Sequence, residues 1–154
     1  MCLNRAATET EKRNEFRVQT DLKGRRIGFK ILTNSGKLPF QGMEDKLPES
    51  QWINEKRYRY DSNKKSLPFI EYLAGWRALP AGFKPKRYAT GFHIFIDKNE
   101  AIQYSIIHQF DLVGDSRGLT VRKVYFRKVV ARGYQANSRD EHRVIVCKEI
   151  YFAK

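Results

Sequence analysis

Three groups of side chains in this sequence have types and spacings that could do chemistry. The first is Cys2. A small second residue allows the initiator Met to be removed, which would leave an N-terminal Cys. The α-amino group of that Cys titrates near neutral pH and could serve as its own base. The plainer alternative is an ordinary thiol near a chain end, because no partner for an activated thiol is visible. The second group is His93, Tyr104 and His108. His93 falls on the strand face opposite Phe92 and Ile94, where an imidazole can face a ligand or sit half-buried against a carbonyl. Tyr104 and His108 are one helical turn apart and share a side of their helix.

The third group mixes cations with rings. It comprises Arg57-Tyr58-Arg59-Tyr60, Lys84-Pro85-Lys86-Arg87-Tyr88 and Arg122-Lys123-Val124-Tyr125-Phe126-Arg127-Lys128. Cations meet phosphates, and rings stack on unpaired bases. This assigns Arg57, Arg59, Lys84, Lys86, Arg87, Arg122, Lys123 and Arg127 as phosphate contacts. Tyr58, Tyr60 and Tyr88 are the stacking candidates. The competing reading places the rings in a core and the cations on a solvated face, and for Val124 and Phe126 that reading is preferred.

Net charge favours the same class of partner. Thirty Lys and Arg stand against 17 Asp and Glu in 154 residues, a formal charge of +13. Such an excess points to nucleic acid, an anionic surface or an acidic protein. No CxxC pair occurs, and the three histidines have no metal-ligand spacing with Cys2 or Cys147, so no metal is expected. No apolar run reaches membrane-spanning length and no signal peptide is evident, so no membrane partner is expected and a reducing, cytoplasmic compartment is. A Cys2–Cys147 disulfide is not expected there. Phosphate-loop, dinucleotide and nucleophile-elbow motifs are absent. So are helix-turn-helix, zinc-finger and RRM signatures.

The elements that must position these groups centre on residues 91–104. Phe92, Ile94 and Ile96 alternate with His93 and Phe95, which predicts a strand. Asp97 is placed as an N-cap with Glu100 three residues on, opening a helix over about 97–110 with Ile102, Ile106 and Phe110 as its apolar stripe. Residues 26–33 predict a first strand, with Ile27, Phe29 and Ile31 on one face. Residues 43–90 are loop-rich and broken by four prolines. Leu119 to Arg132 predicts a long strand, Gly133 to Asp140 a turn, and Arg143 to Phe152 a last strand. Residues 1–25 are expected to be a polar arm, and 26–154 a single α+β domain. Its sheet is expected to be mostly antiparallel, with four to five strands and one main helix.

Two resemblances add to this. Met1-Cys2-Leu3, Gly28-Phe29-Lys30-Ile31-Leu32, Leu38-Pro39-Phe40-Gln41, Gly91-Phe92-His93 and the two late apolar runs resemble a group of small uncharacterised proteins of bacteriophages and mobile elements. That implies an accessory role, such as host takeover or counter-defence. The half from Gly91 onward is similar in layout to ADP-ribosyltransferase folds, with Ala101, Tyr104, Val121-Arg122-Lys123-Val124 and Glu149 in corresponding places. This second resemblance implies NAD as cofactor, His93, Tyr104 and Glu149 around the site, and Lys30 or Arg26 gripping the nucleotide.

The expectation is a basic accessory protein that binds nucleic acid or another phosphate-rich partner without catalysis. One alternative is a nucleotide-directed enzyme of the transferase layout. Another is an inhibitor or virion component that meets an acidic protein.

Overall fold

One long strand organises the fold. The computed structural model describes residues 3–38, 46–58, 65–69, 86–108, 118–136 and 140–153. In chain order its elements are β1 (Arg5–Ala6), α1 (Glu9–Asn14), β2 (Gln19–Thr20), β3 (Arg26–Thr33), β4 (Trp52–Asn54), a 3-10 turn (Glu55–Tyr58), β5 (Ser66–Pro68), β6 (Arg87–Ala89), β7 (Phe92–Phe95), α2 (Lys98–His108), β8 (Leu119–Ala136) and β9 (Glu141–Tyr151). The first part of β8 pairs with β3, from Thr33↔Leu119 to Ile27↔Tyr125. Its remainder pairs with β9, from Tyr125↔Tyr151 to Ala136↔Glu141. β9 pairs with β7, and β7 meets β3 at Phe29↔Phe95. The ladder thus returns to the strand it left. β1, β2 and β4 add to its edges, while β5 and β6 form a separate two-stranded ribbon. All these pairings are antiparallel.

Strand side chains alternate between faces, so the sheet builds two apolar layers. One contains Leu32, Phe92, Ile94, Val124, Phe126, Ile145 and Cys147. The other contains Phe29, Ile31, Phe95, Val144 and Val146, with Ala101 and Tyr104 of α2 packed on them. The expected α+β class and antiparallel sheet are present, with more strands than four to five: among the described residues the main sheet has seven.

The helix begins as its sequence predicts, because the Asp97 carboxylate accepts from the Glu100 backbone N–H at 3.0 Å. Its buried face differs from the expected stripe. Ala101, Tyr104 and Ser105 are buried, whereas Ile106 is 57% exposed. Spacings of three and four from Ala101 select that face, and a small residue there lets the helix approach the sheet. Residues 109–110 lie outside the described residues.

Two expectations change for one reason. Residues 3–25 are not a free arm. Leu3, Ala7 and Phe16 are buried, β1 pairs with β8, and β2 pairs with β3. Gly133 does not turn the chain either, because β8 continues to Ala136. Its missing side chain instead makes room for β1: a Cβ there would collide with the Arg5 carbonyl oxygen.

Charged groups then fasten the segment. Arg5 bridges Glu11 at 3.0 Å and Glu141 at 2.9 Å, with its guanidinium over the Tyr134 ring. The Tyr134 hydroxyl contacts Glu11 and Glu15. Thr8 and Glu11 cap α1 reciprocally. The hydrogen bond from Arg5 holds the Glu11 carboxyl well below its usual range, aided by the Thr8 backbone and Tyr134. A carboxylate lowered on folding contributes stability above its unfolded pKa, and that stability is lost as pH falls through the folded value. Glu11→Gln keeps the capping geometry but removes the charge. It should cost about 1–2 kcal/mol at pH 7, and the gap to wild type should shrink as urea melts are repeated in increasingly acid buffer.

Candidate functional site

Cross-strand register places two rows of side chains on one face of the sheet. Ile53, Ile150 and Phe126 are neighbours across β4, β9 and β8, and all three point into the first apolar layer. One position along, Trp52, Tyr151 and Tyr125 are neighbours and point the other way. Asn54, Glu149 and Arg127 form the next row on that same face. The result is a row of three rings beside a row of polar groups, in which Trp52 is exposed, Tyr151 half-buried and Tyr125, at 7% exposure, buried.

Cations are seated on the rings. The Arg127 guanidinium lies 3.9 Å from the Trp52 ring centroid, and that of Arg25 lies 4.1 Å from the centroid of Tyr125. Lys123 Nζ is 5.6 Å from the Tyr125 centroid. A cation over a ring face is held by the ring quadrupole. Arg25 is further tied to Asp21 at 2.7 Å.

A bulge adds one more charge. Lys128 adopts φ 61°, and the β8–β9 register shifts between Val129 and Ala131. In a regular strand, residues 127 and 128 would face opposite ways. Here both reach Glu149, Arg127 at 2.6 Å and Lys128 at 3.2 Å. Their side chains are 46% and 61% exposed, against 11% for Glu149. Burial pushes the Glu149 carboxyl up, but the bonds from Arg127 and Lys128 outweigh it and hold the group below its usual range. Glu149 therefore stays ionised and fixes both cations from below.

The residues singled out in the sequence divide. Arg127 and Lys123 belong to this face. Arg57, Lys86 and Arg87 are exposed elsewhere, and Arg87 is bonded to Ser66 across the β5–β6 ribbon. Arg122 is paired with Glu49 at 2.9 Å and lies over the Phe152 ring, so it braces the chain's last turn. Tyr58 and Tyr88 are 7% and 6% exposed and belong to the core, so their rings present no face for stacking. Cys2, Arg59, Tyr60 and Lys84 lie outside the described residues.

Trp52, Tyr151 and Arg25 are members of the face that motif reading misses, and Lys128 lies in a stretch that it singles out without assigning Lys128 a contact. A signal for most of it exists in three short stretches that alternate a ring with a polar residue: Trp52-x-Asn54, Tyr125-x-Arg127 and Glu149-x-Tyr151. The pairing of these stretches is not visible in any one of them.

The residues of the nucleotide-enzyme reading go to separate partners. Glu149 takes Arg127 and Lys128. Tyr104 packs against Phe95 and His142. His93 is 4% exposed, its Nε2 is 3.0 Å from the Tyr88 hydroxyl, and that hydroxyl accepts the Leu3 backbone N–H at 2.7 Å. Burial, with the Lys30 ammonium adding to it, holds His93 well below the ordinary imidazole range. It is neutral at physiological pH and anchors the chain start. Lys30 itself is 4% exposed and donates to the His93 carbonyl at 3.1 Å, while Arg26 lies over the Phe126 ring.

Among the described residues no three His, Cys, Asp or Glu side chains are placed to hold a metal ion. No described helix is long and apolar enough to cross a membrane. Comparison with protein-family models, with curated proteins and with solved structures found no significant match.

Two predictions test this geometry. Lys128→Gly and Lys128→Ala both remove the charge, but only Gly adopts positive φ without a steric cost. The Gly variant should be more stable than the Ala variant by about 1 kcal/mol, read from urea midpoints at equal m. Burial lowers the Lys30 pKa from 10.5 to about 8. The unfolded chain therefore holds a proton between those values that the folded chain has lost, and stability from this group rises with pH across that window. Lys30→Met should be more stable than wild type at pH 7 by about 1–2 kcal/mol. That advantage should diminish toward pH 10. Cys147, whose thiol burial pushes up to about 12 against the opposing charge of Lys30, contributes the opposite slope in the alkaline range, and loss of Lys30 strengthens that contribution and narrows the gap there further.

Proposed function

We propose that this protein is a non-catalytic binder of nucleic acid, and that it works through the face built by β4, β9 and β8. One observation carries this: the neighbouring rings of exposed Trp52 and half-buried Tyr151 stand beside cations, with Arg127 on Trp52 itself, while Tyr125 is buried beneath Arg25 and Lys123. A plain solvated surface needs charge alone. A nucleotide offers a phosphate and a planar base, and this face offers a partner for each. The formal charge of +13 adds long-range attraction for any polyanion, which speeds encounter.

Strain at Lys128 supports the same reading. A non-glycine residue held at positive φ costs stability, and such positions persist where the surroundings or a function impose them. Here the unfavourable backbone puts a second cation over Glu149 next to Arg127.

Reversing Lys123, Arg127 and Lys128 together to Glu tests the proposal. Binding of a labelled oligonucleotide, followed by anisotropy across a salt series, should weaken at every salt concentration. The slope of log K against log salt should fall by about 2–3, roughly one for each phosphate that is no longer neutralised. A folded triple variant that binds as the wild type does would refute it.

A further inference from the structure

We infer that the ligand of this face is unpaired nucleic acid, a single strand or a loop, rather than a duplex. The inference rests on the proposed function and narrows it.

The rings are the first reason. In a duplex the flat faces of the bases are covered by their neighbours, so an exposed ring gains nothing from them. Only unstacked bases can lie on a protein ring or on an Arg guanidinium plane. Trp52 is 37% exposed, and the side chain of Arg127 on top of it is 46% exposed. Ring and guanidinium together make a flat platform whose outer layer is cationic.

Spacing is the second. The centroids of the two accessible rings, Trp52 and Tyr151, are 5.6 Å apart. Stacked bases rise only about 3.4 Å per nucleotide along a strand. A strand following this row must be drawn out of its stack, which a free strand does at little cost and a duplex does not.

Shape is the third. Duplex readers insert a helix or a ribbon into a groove. Among the described residues α2 is packed on the sheet through Ala101 and Tyr104, and α1 has six residues. Among the described residues the face is made mainly of strand side chains, the rings of Trp52 and Tyr151 with Arg127, Lys128 and Lys123 around them. Arg127 lies on the Trp52 ring and shares Glu149 with Lys128, so a phosphate drawn to these cations brings its own base over the row.

The experiment compares one labelled 12-nucleotide mixed-sequence single strand with the duplex made from it, at equal salt. The single strand should bind at least 10-fold more tightly. It should also quench tryptophan emission, and Trp52→Phe should remove most of that quenching. Trp52→Ala should weaken single-strand binding roughly 5- to 150-fold, the range for losing one base–ring stack, and should shrink the preference over duplex. Trp52→Leu, which keeps apolar area at the edge of the sheet, should behave as Trp52→Ala does if stacking is what the ring supplies. Equal binding of strand and duplex, or single-strand binding untouched by Trp52→Leu, would overturn the inference while leaving the nucleic-acid reading intact. Absence of binding to both would overturn that reading itself.

Discussion

A single strand that pairs with different partners along its two parts is the constraint on which this structure depends. β8 gives residues 119–125 to β3 and residues 125–136 to β9. A straight strand cannot do that for a sheet that also connects β3 to β9 through β7, so β8 must bend. The irregularities follow Arg127: Lys128 has positive φ, and the register with β9 shifts by one between Val129 and Ala131. A bulge kinks a strand, increases its local twist and re-aims the side chains beside it. This irregular stretch lies where β8 pairs with β9, and it gathers Arg127 with Lys128 on Glu149.

The second dependence is on polar groups within the layers. Lys30 points into the first layer and takes the His93 carbonyl, while the His93 ring points into the second layer and meets Tyr88. Tyr88 in turn holds the Leu3 amide. This line of bonds passes through the sheet from one layer to the other and ends at the start of the chain. Each member would be costly to bury alone, because an unsatisfied polar group in a core loses its water and gains nothing. Joined, they fix the register of β3, β7 and β6 relative to one another. A lysine without a carboxylate at this depth still weakens the fold, and for that reason its titration is a sensitive report of the layer around it.

How much of this is legible in the sequence follows from how local each signal is. The strands at 26–33 and 92–95 and the Asp97 cap are legible, because alternation and capping are written within a few residues. Ile106 misleads, since an apolar residue at the right spacing says nothing about whether a sheet covers it. Gly133 misleads because a glycine serves equally for a turn and for a close backbone approach, and only the position of Arg5 decides between them. The N-terminal segment reads as an arm because its anchors, Leu3, Ala7 and Phe16, are widely spaced and each finds its partners far along the chain. Tyr58 and Tyr88 sit beside cations in the sequence and so resemble binding rings. Their neighbours along the chain are charged, but their neighbours in space are Ile53 and the Phe69–His93 layer.

The face itself shows the same limit from the other side. Charge and rings are concentrated in one part of it, Arg122 to Lys128, but Trp52 and Tyr151 lie in other stretches, far from it in sequence. What sets it apart is that β4, β9 and β8 align their rings in one row and their polar groups in the next, which is a property of register. Register is imposed by the apolar residues on the opposite face, since a slip of one position would bring Trp52, Tyr151 and Arg127 into the core and expel Ile53, Ile150 and Phe126. The core thus specifies the surface. Hydrophobic burial at Ile53, Ile150 and Phe126 fixes where the rings stand, ring quadrupoles then hold the cations in place, and Glu149, buried beneath them, keeps two of those cations aimed outward. A charged surface is cheap for a protein to make. A surface in which each cation has a set position relative to a ring needs a rigid sheet behind it, and this chain devotes its longest strands to providing one.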